Sequence, residues 1–144
     1  MAITQSICST FKSELLQGVH DFGNNAVYPP AGGDTFKLAL YTSSASIDAN
    51  TTAYTTSNEV TGTNYTAGGA ALTNLGVTAV NTSSSAGTGF TNFSNLTFAN
   101  VTITARGALI YNSTPKANSN ANTTLTNTSV CVLDFGSTKT SVNT

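Results

Sequence analysis

The chain has 144 residues, enough for one domain with a real core, and only 8% of them are charged against 39% hydrophobic. Five basic residues (Lys12, Lys37, Arg106, Lys116 and Lys139) and six acidic ones leave a formal net charge of −1. That spread excludes the basic stripe with which nucleic-acid binders displace counterions. No apolar run approaches the roughly 20 residues of a membrane-spanning helix.

Thr, Ser and Asn take the place of the missing charges, and their short side chains favour strands and turns over helices. Apolar runs recur at regular intervals, so a disordered chain is not the expectation. The N-terminus lacks the basic-then-apolar order of a secretory signal, and the mature protein is expected to start near Met1.

Residues 1–22 carry the one helical pattern. Ile3, Ile7, Phe11, Leu15 and Val19 recur every four residues, with Cys8, Leu16 and Phe22 widening the stripe. Thr4 or Ser6 is the candidate cap, and Gly18 ends or kinks the helix. The stripe is expected to pack on the domain's own sheet, because short helices owe most of their stability to packing; docking on a partner is the alternative.

A turn-rich connector through Asn24, Asn25 and Pro29-Pro30 leads to a strand over Thr35–Thr42, with Phe36, Leu38 and Leu40 on one face. Ser43–Ser57 reads as a polar surface loop. Asn58–Val60 reads as a short strand, and Gly62, Gly68 and Gly69 follow as turn residues. Ala70–Val80 is a strand whose register is unsettled near Gly76, and Asn81–Gly89 is a Ser/Gly loop. Phe90, Phe93 and Phe98 are expected as core anchors.

The central strand falls at Val101–Asn112. Val101, Ile103 and Ala105 alternate with Thr102, Thr104 and Arg106, after which Ala108–Tyr111 is apolar throughout. The change at Arg106-Gly107 marks a bulge or a close backbone approach. Ser113–Ser129 reads as an exposed excursion. Val130–Phe135 is the last strong strand, stopped by Gly136, and Lys139–Val142 is a weak final edge. Strands without intervening helices predict a mainly β fold, an antiparallel β-sandwich with one N-terminal amphipathic helix. The chain reads as a single domain over 1–144, with the helix at 1–22 and the sandwich at 33–144.

Chemistry has few footholds. His20 is the only histidine, and beside Asp21 at a helix end it is expected to be solvated; a triad would need a hydroxyl or thiol hydrogen-bonded to it. His20, Cys8 and Cys131 lack paired zinc spacing. Glu14, Asp21, Asp34, Asp48, Glu59 and Asp134 show no spacing that pairs two across a cleft. Asp48-x-Asn50-x-Thr52, with Glu59 eleven positions after Asp48, imitates a calcium loop. Ala53 stands where glycine belongs, and flanking helices are not evident.

Cys8 and Cys131 are expected as free, small apolar residues. Tyr28, Tyr41, Tyr54 and Tyr65 read equally as contact residues or as caps on the core with a wet hydroxyl. The Asn-x-Ser/Thr triplets between Asn50 and Asn127 follow from composition. No catalytic, cofactor-binding or metal-binding residue is assigned, and the partner-binding residues are left open.

The segments GDTFKLALYTS, NEVTGTNYTAGG, ITARGALIYN and VCVLDFGS, with the helix before them, resemble a group of small tailed-bacteriophage virion proteins. The similarity runs from the helix to Gly136 and carries no reactive residues. It implies a jelly-roll-like head decoration (cement) protein on the outer capsid surface, assembled in the host cytoplasm. Such a protein is not an enzyme and needs no cofactor. It would bind the major capsid protein lattice as a dimer or trimer, without nucleic acid or membrane. The loops Ser43–Ser57, Asn81–Gly89 and Ser113–Ser129 are its candidate contact surfaces. The alternative is a receptor- or carbohydrate-binding module of a tail or head fibre.

Overall fold

A computed structural model describes residues 2–23, 33–80, 87–118 and 123–143. The elements in chain order are β1 (Ser6–Ile7), α1 (Ser9–Leu16), β2 (Phe36–Tyr41), β3 (Ala70–Ala71) and β4 (Asn74–Val80). They continue with β5 (Thr88–Phe93), β6 (Ile103–Asn112), β7 (Lys116–Asn118), β8 (Thr123–Leu125) and β9 (Thr128–Ser141). The fold is mainly β and its strand pairs are antiparallel: a five-stranded sheet in the order β1-β9-β6-β2-β3, plus the two-stranded ribbons β4-β5 and β7-β8.

β6 lies at the centre of the sheet, where its alternating apolar residues place it. Ala39, Tyr41, Leu109, Tyr111 and Val132 face one side, under Ile3, Cys8, Ala45 and Ile47. Leu38, Leu40, Ala108 and Leu133 face the other, under Val60, Val101, Phe98 and Tyr65. Phe36 packs beside them with Phe22, Phe93 and Ile110. Both faces are therefore covered, largely by loops. Each large side chain fully buried this way contributes about 1.5–3 kcal/mol, and Phe36, Tyr41, Leu109 and Val132 are all 0% exposed.

Gly107 is the point where β6 changes character. Ile103 and Ala105 share a cluster with Ala108, so side-chain alternation slips by one residue between them. Opposite, Ala105 pairs with Lys139 but Gly107 with Asp134, so the extra residues bulge out of β9. Both expectations for this position hold, since the Leu133 carbonyl and the Ile3 side chain also crowd against the glycine.

Three expectations change. Gly136 does not stop the last strand: it takes φ +72°, its N–H is accepted by Asp134 Oδ1 at 2.8 Å, and β9 rejoins β6 at Lys139–Ser141. Ser43–Ser57 is not simply a surface loop, because Ala45 and Ile47 are buried in the core and Ile3 bridges to Ile47. Ser113–Ser129 contributes the paired strands β7 and β8.

The helix is also shorter than residues 1–22. Ser6 and Ile7 pair with Val132 and Cys131 of β9, since extended backbone there completes an edge of the sheet. Cys8 occupies the N-cap without a side-chain hydrogen bond, so neither Thr4 nor Ser6 caps the helix. Gly18, at φ +68°, ends it as expected.

Candidate functional site

Helix α1 turns part of its apolar stripe outward, although Phe11 still packs on the core. Its buried residue is Glu14, while Leu15 is 49% and Leu16 91% exposed. This orientation follows from what meets the helix. Glu14 Oε2 lies 2.7 Å from Nε2 of His20, whose side chain is 0% exposed. Nδ1 of His20 faces Nδ2 of Asn112, at the end of β6, at 3.1 Å. Asn112 also donates to Asp34 Oδ2 at 2.7 Å, and Asp34 Oδ1 lies 2.5 Å from Lys116 Nζ. Phe11, Phe22 and Phe36 surround the imidazole with ring centroids 4.8–6.4 Å away.

His20 is thus not solvated, and a buried carboxylate does meet it. The arrangement still lacks the third member of a nucleophilic triad: both ring nitrogens are engaged, one by Glu14 and one by an amide. Thr10 Oγ1, one turn before Glu14, is buried without a hydrogen-bond partner among the described residues. The network ties the helix and the segment after it to the sheet.

Glu59 organises a second polar cluster. Its Oε2 accepts from Tyr54 Oη at 2.5 Å, and its Oε1 accepts from Tyr65 Oη and Gly68 N, each at 2.8 Å. Tyr41 donates to the Thr55 carbonyl at 2.6 Å and Tyr111 to the Gly68 carbonyl at 2.8 Å. Burial, and after it the Glu59 carboxylate, push the Tyr54 and Tyr111 hydroxyls above the ordinary tyrosine range. Burial also raises Tyr41 and Tyr65, where backbone hydrogen bonds partly oppose it. Tyr41, Tyr54 and Tyr65 therefore turn their hydroxyls inward; Tyr28 lies outside the described residues.

The calcium-like spacing does not assemble. Asp48 Oδ1 accepts the Asn50 N–H at 2.7 Å in a local turn, while Glu59 commits both oxygens to the core. Among the described residues no group of three or more His, Cys, Asp or Glu side chains is placed to hold a metal ion. Cys8 and Cys131 are both free. No helix among the described residues is long and apolar enough to cross a membrane.

The described surface includes two grooves that are not lined by His20, Glu14 or Glu59. One, of about 290 Å³, is walled by Thr42, Thr61, Thr102, Thr104 and Thr140 with Ile103. It presents hydroxyls and no titratable group. The other, of about 400 Å³, runs between α1 and the β4-β5 ribbon. Ile7, Phe11, Leu15, Phe22, Val77 and Phe90 line it, with Thr91 as its polar side chain. Ile7, Leu15, Val77 and Phe90 are each between 43% and 65% exposed.

Sequence reasoning did not favour this surface, since docking of the helical stripe on a partner was only its alternative. It placed Ile7 and Leu15 on a core-facing stripe and Phe90 among the core anchors. The available signal was an apolar excess in Leu15-Leu16 and in the ribbon beyond what one sheet can cover. Of the loops expected to make contacts, Ser43–Ser57 is partly buried, and residues 81–86 and 119–122 lie outside the described residues. No known protein family, curated protein or solved structure matches this chain.

Proposed function

We propose that this chain is a non-enzymatic virion structural protein, a decoration protein that adheres to the major capsid protein lattice on the outer face of a phage head. The observation that carries the reading is the apolar groove between α1 and the β4-β5 ribbon, with exposed Leu16 on the same helix. Clustered exposed apolar side chains on a soluble domain mark an interaction surface. The chain's low charge and its inward-turned titratable groups suit a protein whose value lies in shape and adhesion.

In this reading the five-stranded sheet is one layer of a jelly-roll-like sandwich, and the segments covering one of its faces form the other. A dimer or trimer would bridge shell subunits, so that weak contacts gain from effective concentration. Binding the assembled lattice better than loose subunits stabilises the lattice by linkage. The test is sedimentation of the purified protein with capsids stripped of decoration, where saturable co-sedimentation is expected.

The second reading, a receptor- or carbohydrate-binding module of a fibre, draws on the hydroxyl-lined groove. Binding to host cells or glycans without capsid binding would favour it.

A further inference from the structure

We infer that His20 is an acid-sensitive latch, holding helix α1 and residues 19–23 on the sheet in one protonation state alone. The inference does not depend on the adhesive role.

Asn112 sets the logic. It is fully buried and its amide is oriented from both ends: Oδ1 accepts the Thr114 backbone N–H at 3.0 Å, and Nδ2 donates to Asp34 Oδ2 at 2.7 Å. The group it shows to His20 Nδ1, 3.1 Å away, is therefore an N–H. Two N–H groups cannot satisfy each other, so Nδ1 carries a lone pair and the ring proton sits on Nε2, directed at Glu14 Oε2. The network is matched with a ring proton on Nε2, a lone pair on Nδ1, and Glu14 Oε2 and Asp34 Oδ2 accepting.

A second ring proton breaks the match. An imidazolium would set Nδ1–H against the Asn112 amide hydrogens. Turning the amide over would press Oδ1 against Asp34 Oδ2 and remove the acceptor from Thr114.

The charged groups around the ring come from every side. Glu14 belongs to α1, Asp34 precedes β2, and Lys116 of β7 pairs with Asp34. Asp21 gives its backbone N–H to Asp34 Oδ2 and turns its carboxylate to the Gly23 N–H. Phe11, Phe22 and Phe36 also pack against the ring. Glu14 draws a proton onto the imidazole while Asn112 opposes it, so an added proton is accommodated by releasing the contact to β6. A second ring proton is what acid supplies, so acid opens the latch. Because Phe11 and Leu15 form one wall of the apolar groove, the opening also widens that groove.

The single histidine makes the test direct. In full-length protein carrying ¹⁵N-histidine, NMR at about pH 7.5 is expected to show the neutral ring protonated at Nε2. At about pH 5 hydrogen-exchange protection of Ser9–Leu16 is expected to fall about tenfold while that of β2 and β6 is kept. His20→Gln offers N–H to Glu14 and C=O to Asn112 without titrating, and its helix protection is expected to be independent of pH. An Nδ1–H tautomer or an imidazolium at about pH 7.5 would overturn the inference, as would helix protection unchanged at about pH 5. So would a Gln variant that keeps the acid response. If that variant does not fold, the wild-type tautomer and exchange data decide.

Discussion

Gly107 leaves the space that Ile3 fills. A methyl at Gly107 would stand 2.8 Å from Cγ2 of Ile3 and 2.5 Å from the Leu133 carbonyl oxygen. The N-terminal strap thus crosses β6 at its glycine, beside the bulge that lets β9 continue. Gly107→Ala is expected to destabilise the fold by about 1–3 kcal/mol through overpacking, read as a lower denaturant midpoint with an unchanged slope.

The Glu59 cluster predicts an alkaline limit. Tyr41, Tyr54, Tyr65 and Tyr111 hold their protons above the ordinary range in the folded state, chiefly through burial. The unfolded chain releases them near pH 10, so stability is intact below about pH 10 and falls as pH rises above it. The share of tyrosinate absorbance that comes from these four residues should rise in one steep step together with unfolding. Glu59→Ala leaves the donors of Tyr54, Tyr65 and Gly68 without their acceptor and should cost about 2–4 kcal/mol in denaturant unfolding.

Both thiols should be inert in the native protein. Burial raises the Cys8 thiol above its usual range, and burial followed by the nearby Cys8 raises Cys131 to about 11. Since the thiolate is the reactive form, alkylation near neutral pH should proceed at the rate of unfolding and be complete at once in denaturant. Rapid labelling of either cysteine in native protein would contradict this.

Asp134 does two jobs where Arg106 does one. It pairs with the Arg106 guanidinium across the strands and accepts the Gly136 N–H that shapes the β9 bulge. Arg106→Ala should cost about 1 kcal/mol, since the pair keeps about a quarter of its side-chain surface in solvent, which screens it. Asp134→Ala should cost about 1–2 kcal/mol, because the turn loses its acceptor as well. Equal costs from thermal or denaturant unfolding would remove the bulge-shaping role.

What the sequence disclosed was the part governed by local alternation. Phe36, Leu38 and Leu40 announced β2, Val101, Ile103 and Ala105 announced β6, and Gly107 flagged the slip within β6. β9 beyond Gly136 registered only as a weak edge at Lys139–Val142, because Ser137–Ser141 has no apolar alternation and is held by backbone pairing to β6. Ile3 and Ile7 fit a helical period and a strand period equally, which stretched the helix too far. The burial of Glu14 and His20 was not legible, because Asn112 and Asp34 reach them from distant parts of the chain. Nor was the groove, since the exposure of Val77 and Phe90 depends on what does not cover them.

The adhesive role is tested most directly by sedimenting wild type and Val77→Asp with decoration-stripped capsids. Val77 is 65% exposed, so the substitution should leave stability within about 0.5 kcal/mol. The account predicts saturable co-sedimentation of wild type and at least about a tenfold loss of affinity in Val77→Asp, near 1.4 kcal/mol. Wild-type protein that stays in the supernatant, or a variant that binds as well as wild type, would contradict it.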